Sequence, residues 1–315
     1  MPLITIRHNW SKAEIRDLTA LPFINLLQQA INTLRKNFPH NKIQVSGLLN
    51  LKSGNCSEDC AYCAQSRHFK TDAKPHKLLS FEAVIQAATQ AKEQGIKRFC
   101  MGAAWRSPTA QDFAQILKMI TAVKNLGLET CVTLGELNNE QVTALKNAGL
   151  DYYNHNINTS PEYYATIVTT HKYQDRLTTL ELLRAAKINI CCGGILGMGE
   201  SKEDRVALLH ELANFPQHPQ SIPINYFIPL KGTRLAECPQ IDPFEFVRMI
   251  AVARILMPKS VIRLAAGRSL MSDELQALCF CAGANSIFCG EKLLTATNPP
   301  LEHDQSLLQH LGLTT

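Results

Sequence analysis

The sequence lacks the partners that would turn its densest group of cysteines into a structural zinc site. The stretch NCSEDCAYCAQS, residues 55–66, places Cys56, Cys60 and Cys63 at C-x3-C-x2-C. No second C-x2-C pair and no pair of histidines stands at a matching distance, although structural zinc is normally enclosed by four ligands. The next cysteine, Cys100, lies in RFCMGA, which reads as a buried strand. Three close thiols without a fourth ligand are therefore the first feature to explain.

Other absences exclude whole classes of function. No basic run is interleaved with aromatic residues, and a net charge of +5 is small for 315 residues, so nucleic-acid binding is not indicated. The first residues show no apolar core of a signal peptide, and no apolar stretch approaches the roughly 20 residues of a membrane span. We therefore expect a soluble cytoplasmic protein without a membrane partner. In that compartment the 11 cysteines are expected to be reduced rather than paired in disulfides.

Neither low-complexity segments nor Pro/Gly-rich linkers interrupt a regular alternation of short apolar strands and helical segments. Eight strand–helix units of this kind predict an α/β fold, a TIM-type (β/α)8 barrel, because parallel strands need helical crossovers and eight can close a barrel. An open doubly wound sheet is the alternative. We expect a single domain over residues 1–315, with an N-terminal helical extension over about 1–42, the barrel over about 43–290 and a C-terminal tail over about 291–315. The eight predicted strands lie in KIQVSGLLNL, KRFCMGAA, LETCVTLG, DYYNHNIN, NICCGGILGMG, SIPINYFIPL, VIRLAAG and SIFCG.

The three-cysteine motif follows the first strand directly, so a barrel would place its thiols at the mouth, where such folds carry their chemistry. Thiolates suit iron–sulfur clusters as well as zinc. Four ligands complete a cluster, whereas three leave one metal position open to bind and activate another molecule. A zinc site completed by a distant residue remains the alternative.

Two further segments place asparagines or glycines on predicted strands, towards their ends. In YNHNIN, the spacing of two puts Asn154, Asn156 and Asn158 on one face of a strand and His155 on the other, where a structural role is expected. Amides facing a barrel interior are costly unless paired, so they indicate either a neutral polar ligand or a hydrogen-bonded polar layer. GGILGMGE, residues 193–200, lacks the order G-x-G-x-x-G. It indicates close approach of the backbone to a ligand, or only a tight turn.

Several sequence blocks resemble a known family. C-x3-C-x2-C with Tyr62 before its last cysteine is similar to the signature of radical S-adenosylmethionine enzymes, in which the open iron binds the amino and carboxylate groups of S-adenosylmethionine and an electron cleaves its sulfonium. The later blocks resemble the biotin synthase family over nearly the whole chain; they are RFCMGAAWR, TCVTLG, YNHNIN, GGILGMGE, PIN and RLAAGR. This resemblance implies a sulfurtransferase that inserts sulfur into dethiobiotin to form biotin, the last step of biotin biosynthesis.

The resemblance also assigns metal ligands. Cys56, Cys60 and Cys63 would hold a 4Fe–4S cluster. A second cluster, 2Fe–2S, would lie deep in the barrel, with ligands at Cys100, Cys131, Cys191 and Arg263. The chemistry of a guanidinium does not predict a ligand, because it has donors and no free lone pair. A single strand cysteine is by itself best explained as a small core residue. Cys192 should face the other side of its strand, and no role is assigned to the remaining four: Cys238, Cys279, Cys281 and Cys289.

For the small molecules, the resemblance places Asn154 and Asn225 at the ureido group of dethiobiotin. Tyr62, Asn156 and Asn158 would contact S-adenosylmethionine, the two asparagines at its ribose hydroxyls. The family has aspartate at the position of Asn158. An amide offers one acceptor oxygen where a carboxylate offers two, so this departure bears on cofactor affinity more than on reaction type.

The resemblance further implies an electron donor such as flavodoxin and a homodimer. Two other functions stay open. A cysteine-rich metal carrier would use the same thiols without turnover, but would not need the asparagine row. Another radical enzyme with an auxiliary cluster, such as a hydrogenase-maturation protein, would keep the first motif but has no reason to retain Arg263.

Overall fold

A sheet of parallel strands forms the centre of the computed structural model, which describes residues 6–290 and 292–315. Its strands are β1 (Gln44–Lys52), β2 (Arg98–Ala103), β3 (Glu129–Thr133), β4 (Tyr152–Asn154), β5 (Asn189–Cys191), β6 (Gly194–Leu196), β7 (Ser221–Tyr226), β8 (Val261–Leu264) and β9 (Ser286–Cys289). A separate antiparallel hairpin consists of β10 (Lys292–Leu293) and β11 (Ala296–Thr297).

The sheet closes into a barrel. Its strands run in the order β5-β4-β3-β2-β1-β9-β8-β7-β6, and β5 pairs with β7 as well. Because β5 and β6 are separated only by Cys192 and Gly193 and both pair with β7, they form one interrupted strand position out of eight. The prediction of a parallel α/β barrel is confirmed, and the open sheet is excluded.

Helices surround the barrel, and most begin at a polar side chain that caps the first turn. Ser80, Thr109 and Ser201, for example, each accept a hydrogen bond from a backbone N–H of the helix that follows, which satisfies a donor that the helix itself leaves unpaired. The helices are α1 (Lys12–Ala20), α2 (Phe23–Asn37), α3 (Phe81–Glu93), α4 (Ala110–Asn125), α5 (Asn139–Asn147), α6 (Pro161–Ile167), α7 (Tyr173–Ala185), α8 (Lys202–Ala213), α9 (Pro243–Leu256), α10 (Asp273–Cys281) and α11 (Leu301–His310), with a 3-10 turn, η1 (Arg268–Leu270).

The predicted N-terminal extension is present as α1 and α2, which pack on α8, α9 and α10. This cover explains why α9 is buried along most of its length, with Phe246, Ile250 and Val252 fully inside. Residues 1–5 of the extension and Glu291 of the tail lie outside the described residues.

Strand residues alternate between the barrel interior and the surrounding helices. On β2, Phe99 and Met101 belong to the apolar layer beneath the helices, whereas Cys100 faces the other way. Polar residues fill the interior and include Ser46, Ser221, Arg263 and Ser286, all fully buried. The interior is therefore a buried polar compartment whose open end lies at the carboxyl ends of the strands.

Some elements differ from the prediction. The fourth strand ends at Asn154, so the asparagine row does not continue along a strand; at Asn158 the backbone turns with φ of 68°. The fifth strand is interrupted, and neither α6 nor the β10–β11 hairpin nor α11 was predicted. In the part of the chain that the structure describes, no helix has the length and apolarity needed to cross a membrane.

Candidate functional site

The loop that carries the three-cysteine motif follows β1 and folds over the mouth of the barrel. Backbone hydrogen bonds fix it, from Cys56 to the carbonyl of Gln65 at 2.9 Å and from Ala61 to the carbonyl of Ile167 at 2.8 Å. Burial raises the pKa of the Cys60 thiol to about 12 and that of Cys63 to about 11. Because metals bind the thiolate, any metal held at this loop would displace protons from these thiols.

The thiols of this loop are not gathered around one point. Across residues 6–290 and 292–315, no group of three His, Cys, Asp or Glu side chains is placed to hold a single metal ion. A zinc ion needs its ligands at about 2.0–2.3 Å from one centre. In a cluster the thiolates bind different irons, an arrangement that three cysteines around a shared cavity can provide.

A network of charged and polar side chains is hydrogen-bonded to the cysteine loop through Glu58. Glu58 contacts the Nδ1 atom of His171, and Thr170 donates to the same carboxylate at 2.7 Å. The His171 Nε2 atom accepts from the Tyr164 hydroxyl at 2.9 Å and from Arg176 at 3.0 Å. Burial and the neighbouring Arg176 lower the pKa of His171, so a neutral imidazole donates to Glu58 and accepts from the other two groups.

Two asparagines near the carboxyl ends of β4 and β7 present amides to the cavity. The Asn154 oxygen accepts from Thr133 at 3.1 Å, and its nitrogen donates to the carbonyl of Cys191 at 3.2 Å. Asn225 donates to the carbonyl of Gly194 at 2.9 Å and accepts from the backbone of Ala266 at 3.1 Å. Each amide orientation is thus fixed, and Asn225 retains one donor and one acceptor site.

The other two asparagines lie beyond the end of β4. Asn156 accepts from the backbone of Gly193 at 3.0 Å, and Asn158 donates to the Tyr62 hydroxyl at 2.8 Å. All three predicted asparagines still reach one cavity, together with Tyr62. His155 also contributes to its wall, although it was expected on the opposite face, because the strand geometry does not persist past Asn154.

The glycine-rich segment is packed against protein. A side chain at Gly193 would meet the carbonyl oxygen of Pro223 at 2.0 Å, and one at Gly194 would meet Leu208 at 2.5 Å. Further along, the Glu200 carboxylate accepts from the backbone N–H groups of Gly197 at 2.9 Å and Met198 at 2.7 Å. Close strand packing and a tight turn account for these glycines.

The strand cysteines meet inside the barrel. Cys100 on β2 and Cys131 on β3 stand opposite each other, and the contact between their thiols lowers the pKa of Cys100 and raises that of Cys131. The Cys191 sulfur accepts from the Asn154 amide at 3.3 Å. Arg263 donates to the hydroxyls of Ser46 and Ser286, each at 3.0 Å, and its Nη1 atom is buried without a hydrogen-bond partner in residues 6–290 and 292–315.

The remaining cysteines lie elsewhere. Cys192, Cys279 and Cys289 are part of the apolar core outside the barrel, as expected for Cys192. Cys281 is exposed, and Cys238 is half-buried beside the carbonyl of Gly197. All 11 are free thiols.

One cavity of about 340 Å³ at the barrel mouth joins the loop thiols to the amides. Its wall includes the thiols of the cysteine loop, the four asparagines, Tyr62 and Arg176. Over 307 residues, covering 98% of this chain and 89% of the relative, the sequence is 57% identical to biotin synthase of Nitrosococcus oceani. It is 56% identical over 308 residues to biotin synthase of Methylococcus capsulatus, covering 98% and 94% of the two chains.

The chain belongs to the biotin synthase family. Two family models match it, the radical SAM superfamily over residues 51–212 and the biotin and thiamin synthesis associated domain over residues 223–314. The similarity to biotin synthases thus spans both the cysteine loop and the part of the barrel that carries Asn225 and Arg263.

Solved structures show the same fold outside the family. Methylornithine synthase has a TM-score of 0.83 with 17% identity, covering 96% of this chain and 93% of that chain. The FeFe-hydrogenase maturase of Carboxydothermus hydrogenoformans has a TM-score of 0.83 with 17% identity, covering 97% and 75%. At this identity the likeness concerns the radical SAM barrel alone.

Two parts of the site in this member of the biotin synthase family could not be predicted from residue patterns in the sequence. Glu58, His171 and Arg176 come from separate loops and a helix, and no short motif links them. Glu200 ends a predicted motif, but its role in holding the Gly197 turn depends on the folded loop. The only signal for Glu58 was its position inside the cysteine motif.

Proposed function

We propose that this chain is a biotin synthase, which inserts sulfur between two unactivated carbons of dethiobiotin with S-adenosylmethionine as cosubstrate. The observation that carries the proposal is 57% identity to curated biotin synthases over 98% of the chain. The convergence of cysteine loop, asparagines and buried cysteines on one barrel supports it.

Cys56, Cys60 and Cys63 would hold a 4Fe–4S cluster at the mouth. The fit rests on three free thiols around a shared cavity, with no single-ion site among the described residues. When bound, this cluster supplies the electron that cleaves S-adenosylmethionine. Three protein ligands would leave the cluster able to bind S-adenosylmethionine, and Arg176 lies in the same cavity wall as the three cysteines.

Cys100, Cys131, Cys191 and Arg263 would hold a 2Fe–2S cluster. The three thiolates fit, because thiolates are the usual ligands of such clusters, whereas the role of Arg263 as a ligand comes from the family resemblance. Arg263 also has a buried Nη1 atom without a partner, and an unpaired group of this kind in a protein interior calls for an absent ligand or another explanation.

The asparagines provide neutral recognition at the mouth. A primary amide can pair with a ureido group by giving one hydrogen bond and accepting another, and the free donor and acceptor of Asn225 match this need. Asn154 would contribute its second acceptor site. Asn156, Asn158 and Tyr62 would contact the S-adenosylmethionine on the neighbouring wall of the cavity.

Further proposals follow from membership of this family. The reaction needs an external electron donor, such as flavodoxin, and we propose a cytoplasmic homodimer. We also propose that the chain acts as one domain, since the segments matched by both family models contribute strands to a single closed sheet.

Anaerobic iron–sulfur reconstitution followed by an assay for biotin tests the activity. We expect Cys56→Ala, Cys60→Ala and Cys63→Ala each to abolish S-adenosylmethionine cleavage while the protein stays folded. Cys238→Ala is a matched control at the same end of the barrel and should behave as the wild type. Full 5'-deoxyadenosine production by a loop variant would refute the cluster assignment. Iron binding without any biotin would instead support a metal carrier.

A further inference from the structure

Arg98 lies at the closed end of the barrel with a donor that no protein group uses. Its side chain is 2% exposed; Nε donates to the Glu129 Oε2 atom at 3.0 Å, and Nη2 forms an ion pair with the same oxygen at 2.9 Å. The guanidinium carbon lies 3.5 Å from the centre of the Tyr152 ring. The remaining nitrogen, Nη1, is buried and has no hydrogen-bond partner among the residues that the structure describes. Leaving a buried donor unpaired destabilises the folded protein, so the presence of this donor needs an explanation.

The position of Arg98 relates this donor to the buried cysteines. Arg98 and Cys100 are two residues apart on β2 and so project from the same face of the strand. The register with β3 places Arg98 opposite Glu129 and Cys100 opposite Cys131. Arg98 therefore forms the layer next to the cysteines, on the side away from the barrel mouth.

The contacts of Arg98 also fix the orientation of its guanidinium group. Because Nε and Nη2 are both engaged by Glu129, Nη1 is on the far side of the planar group from that carboxylate. The pairing of β2 with β3 puts the guanidinium and both thiols on the same face of the two strands, so the cation lies next to the thiols.

We propose that Arg98 is a further positioning residue of the buried cluster site, where its Nη1 group donates a hydrogen bond to a sulfur atom of the 2Fe–2S cluster. This inference rests on the proposed function, which puts that cluster on Cys100, Cys131 and Cys191. Hydrogen bonds to the sulfurs of a cluster set its reduction potential. A buried cation also offsets the cost of burying several thiolates together.

Glu129 and Tyr152 would hold the arginine in this orientation. The Glu129 side chain is 45% exposed, so it can anchor the guanidinium from the solvent side of the barrel floor. Changing Glu129 leaves the cation in place but loosens its orientation, whereas changing Arg98 removes both charge and donor.

The test uses full-length protein reconstituted anaerobically with iron and sulfide. Arg98→Gln should shift the midpoint potential of the 2Fe–2S signal to a more negative value, because a positive charge beside the cluster is lost. Its 2Fe–2S absorbance should also disappear at least tenfold faster in a chelator. The 4Fe–4S signal of the same sample is the internal reference. Arg98→Lys, which keeps the charge without the fork, should fall between Arg98→Gln and the wild type.

Controls separate this role from a structural one. Arg16→Gln breaks a surface ion pair with Glu203 and should change neither readout. An Arg98→Gln protein with lower thermal stability but wild-type midpoint potential and chelator kinetics would overturn the inference.

If Arg98→Gln does not fold, Glu129→Gln takes its place: a shifted midpoint potential supports the inference, and an unchanged one overturns it. A wild type with only four irons would remove the second cluster and this inference together, whereas six irons with unaffected variants would remove the role of Arg98 alone.

Discussion

At the scale of single residues, Asn158 is where this chain departs from the aspartate that its family resemblance implies. Its side chain is almost fully buried, and its amide nitrogen donates to the Tyr62 hydroxyl at 2.8 Å. The backbone φ of 68° suits asparagine and aspartate alike, which tolerate this region better than most residues. An aspartate would therefore fit the same backbone and accept a hydrogen bond from Tyr62.

We expect Asn158→Asp to tighten S-adenosylmethionine binding by about tenfold without changing the product. Charged hydrogen bonds are worth about 1.5–3 kcal/mol against about 0.5–1.5 for neutral ones, and about 1.4 kcal/mol is one decade in affinity. Desolvation of the new carboxylate opposes part of this gain. The measurement is an anaerobic cofactor titration of the reconstituted wild type and variant.

Asn158→Ala is the matched control, because it removes the acceptor and should weaken binding. The same affinity for wild type and Asn158→Asp, or a weaker one for the variant, would show that this side chain does not reach the ribose.

The residues that could be predicted from the sequence are those within a local pattern. Cys56, Cys60 and Cys63 stand together in eight residues, and the structure places them around one cavity. Arg176 and Arg98 carry no such signal, because each acquires its role from partners on other strands, helices and loops. The unpaired Nη1 atoms of Arg98 and Arg263 become visible only when the barrel interior is closed around them.

At the scale of elements, a buried ion pair ties the C-terminal helix to the barrel. Arg268, in η1 after β8, pairs with Asp304 of α11; their side chains are 1% and 3% exposed. Arg268 also donates to Gln276 of α10 at 3.1 Å and to the carbonyl of Phe288 of β9 at 2.9 Å. One guanidinium thus joins η1 to α10, β9 and α11, which explains an arginine in RLAAGR that the mechanism does not use.

We expect Asp304→Asn to lower the free energy of unfolding by about 3–5 kcal/mol, because it leaves the Arg268 cation buried without its counter-charge. The measurement is urea unfolding of the cluster-free protein at neutral pH. Asp273→Asn breaks the exposed pair with His303 and should change the stability by less than about 0.5 kcal/mol. Equal effects of the two substitutions would show that the buried pair does not anchor α11.

The alternation of apolar strands and helical segments was sufficient to predict all eight strand positions, because parallel strands covered on the outside read as short apolar runs. It did not predict where strands stop. β4 ends at Asn154 because the chain must turn to bring Asn158 against Tyr62 and Gly194. The β10–β11 hairpin is only two residues per strand, too short for a pattern to show.

At the scale of the whole molecule, the barrel separates two sulfur sites by depth. The loop thiols lie at the mouth beside the cavity, whereas Cys100, Cys131 and Cys191 lie within the strands and outside the wall of that cavity. The interior around the second site is polar, and within the described part of the chain Arg98, Ser221 and Arg263 each have a buried side-chain atom without a hydrogen-bond partner. A bound cluster would fill this interior and stabilise the folded chain, since a ligand that binds only the folded state adds to its stability.

We therefore expect the reconstituted wild type to carry about six irons per chain, the sum of a four-iron and a two-iron cluster, and to melt several degrees higher than the cluster-free protein.

Cys131→Ala should hold about four irons, lose biotin formation and show a smaller rise in melting temperature on reconstitution. Arg263→Ala should keep about six, because three thiolates remain and a small molecule can enter the space. Cys192→Ala, next to Cys191 but in the apolar core outside the barrel, is the control and should match the wild type in both measurements. Iron analysis and thermal melts under anaerobic conditions decide the matter: a wild type with only four irons, or a Cys131→Ala protein with six, would mean that the strand cysteines hold no second cluster.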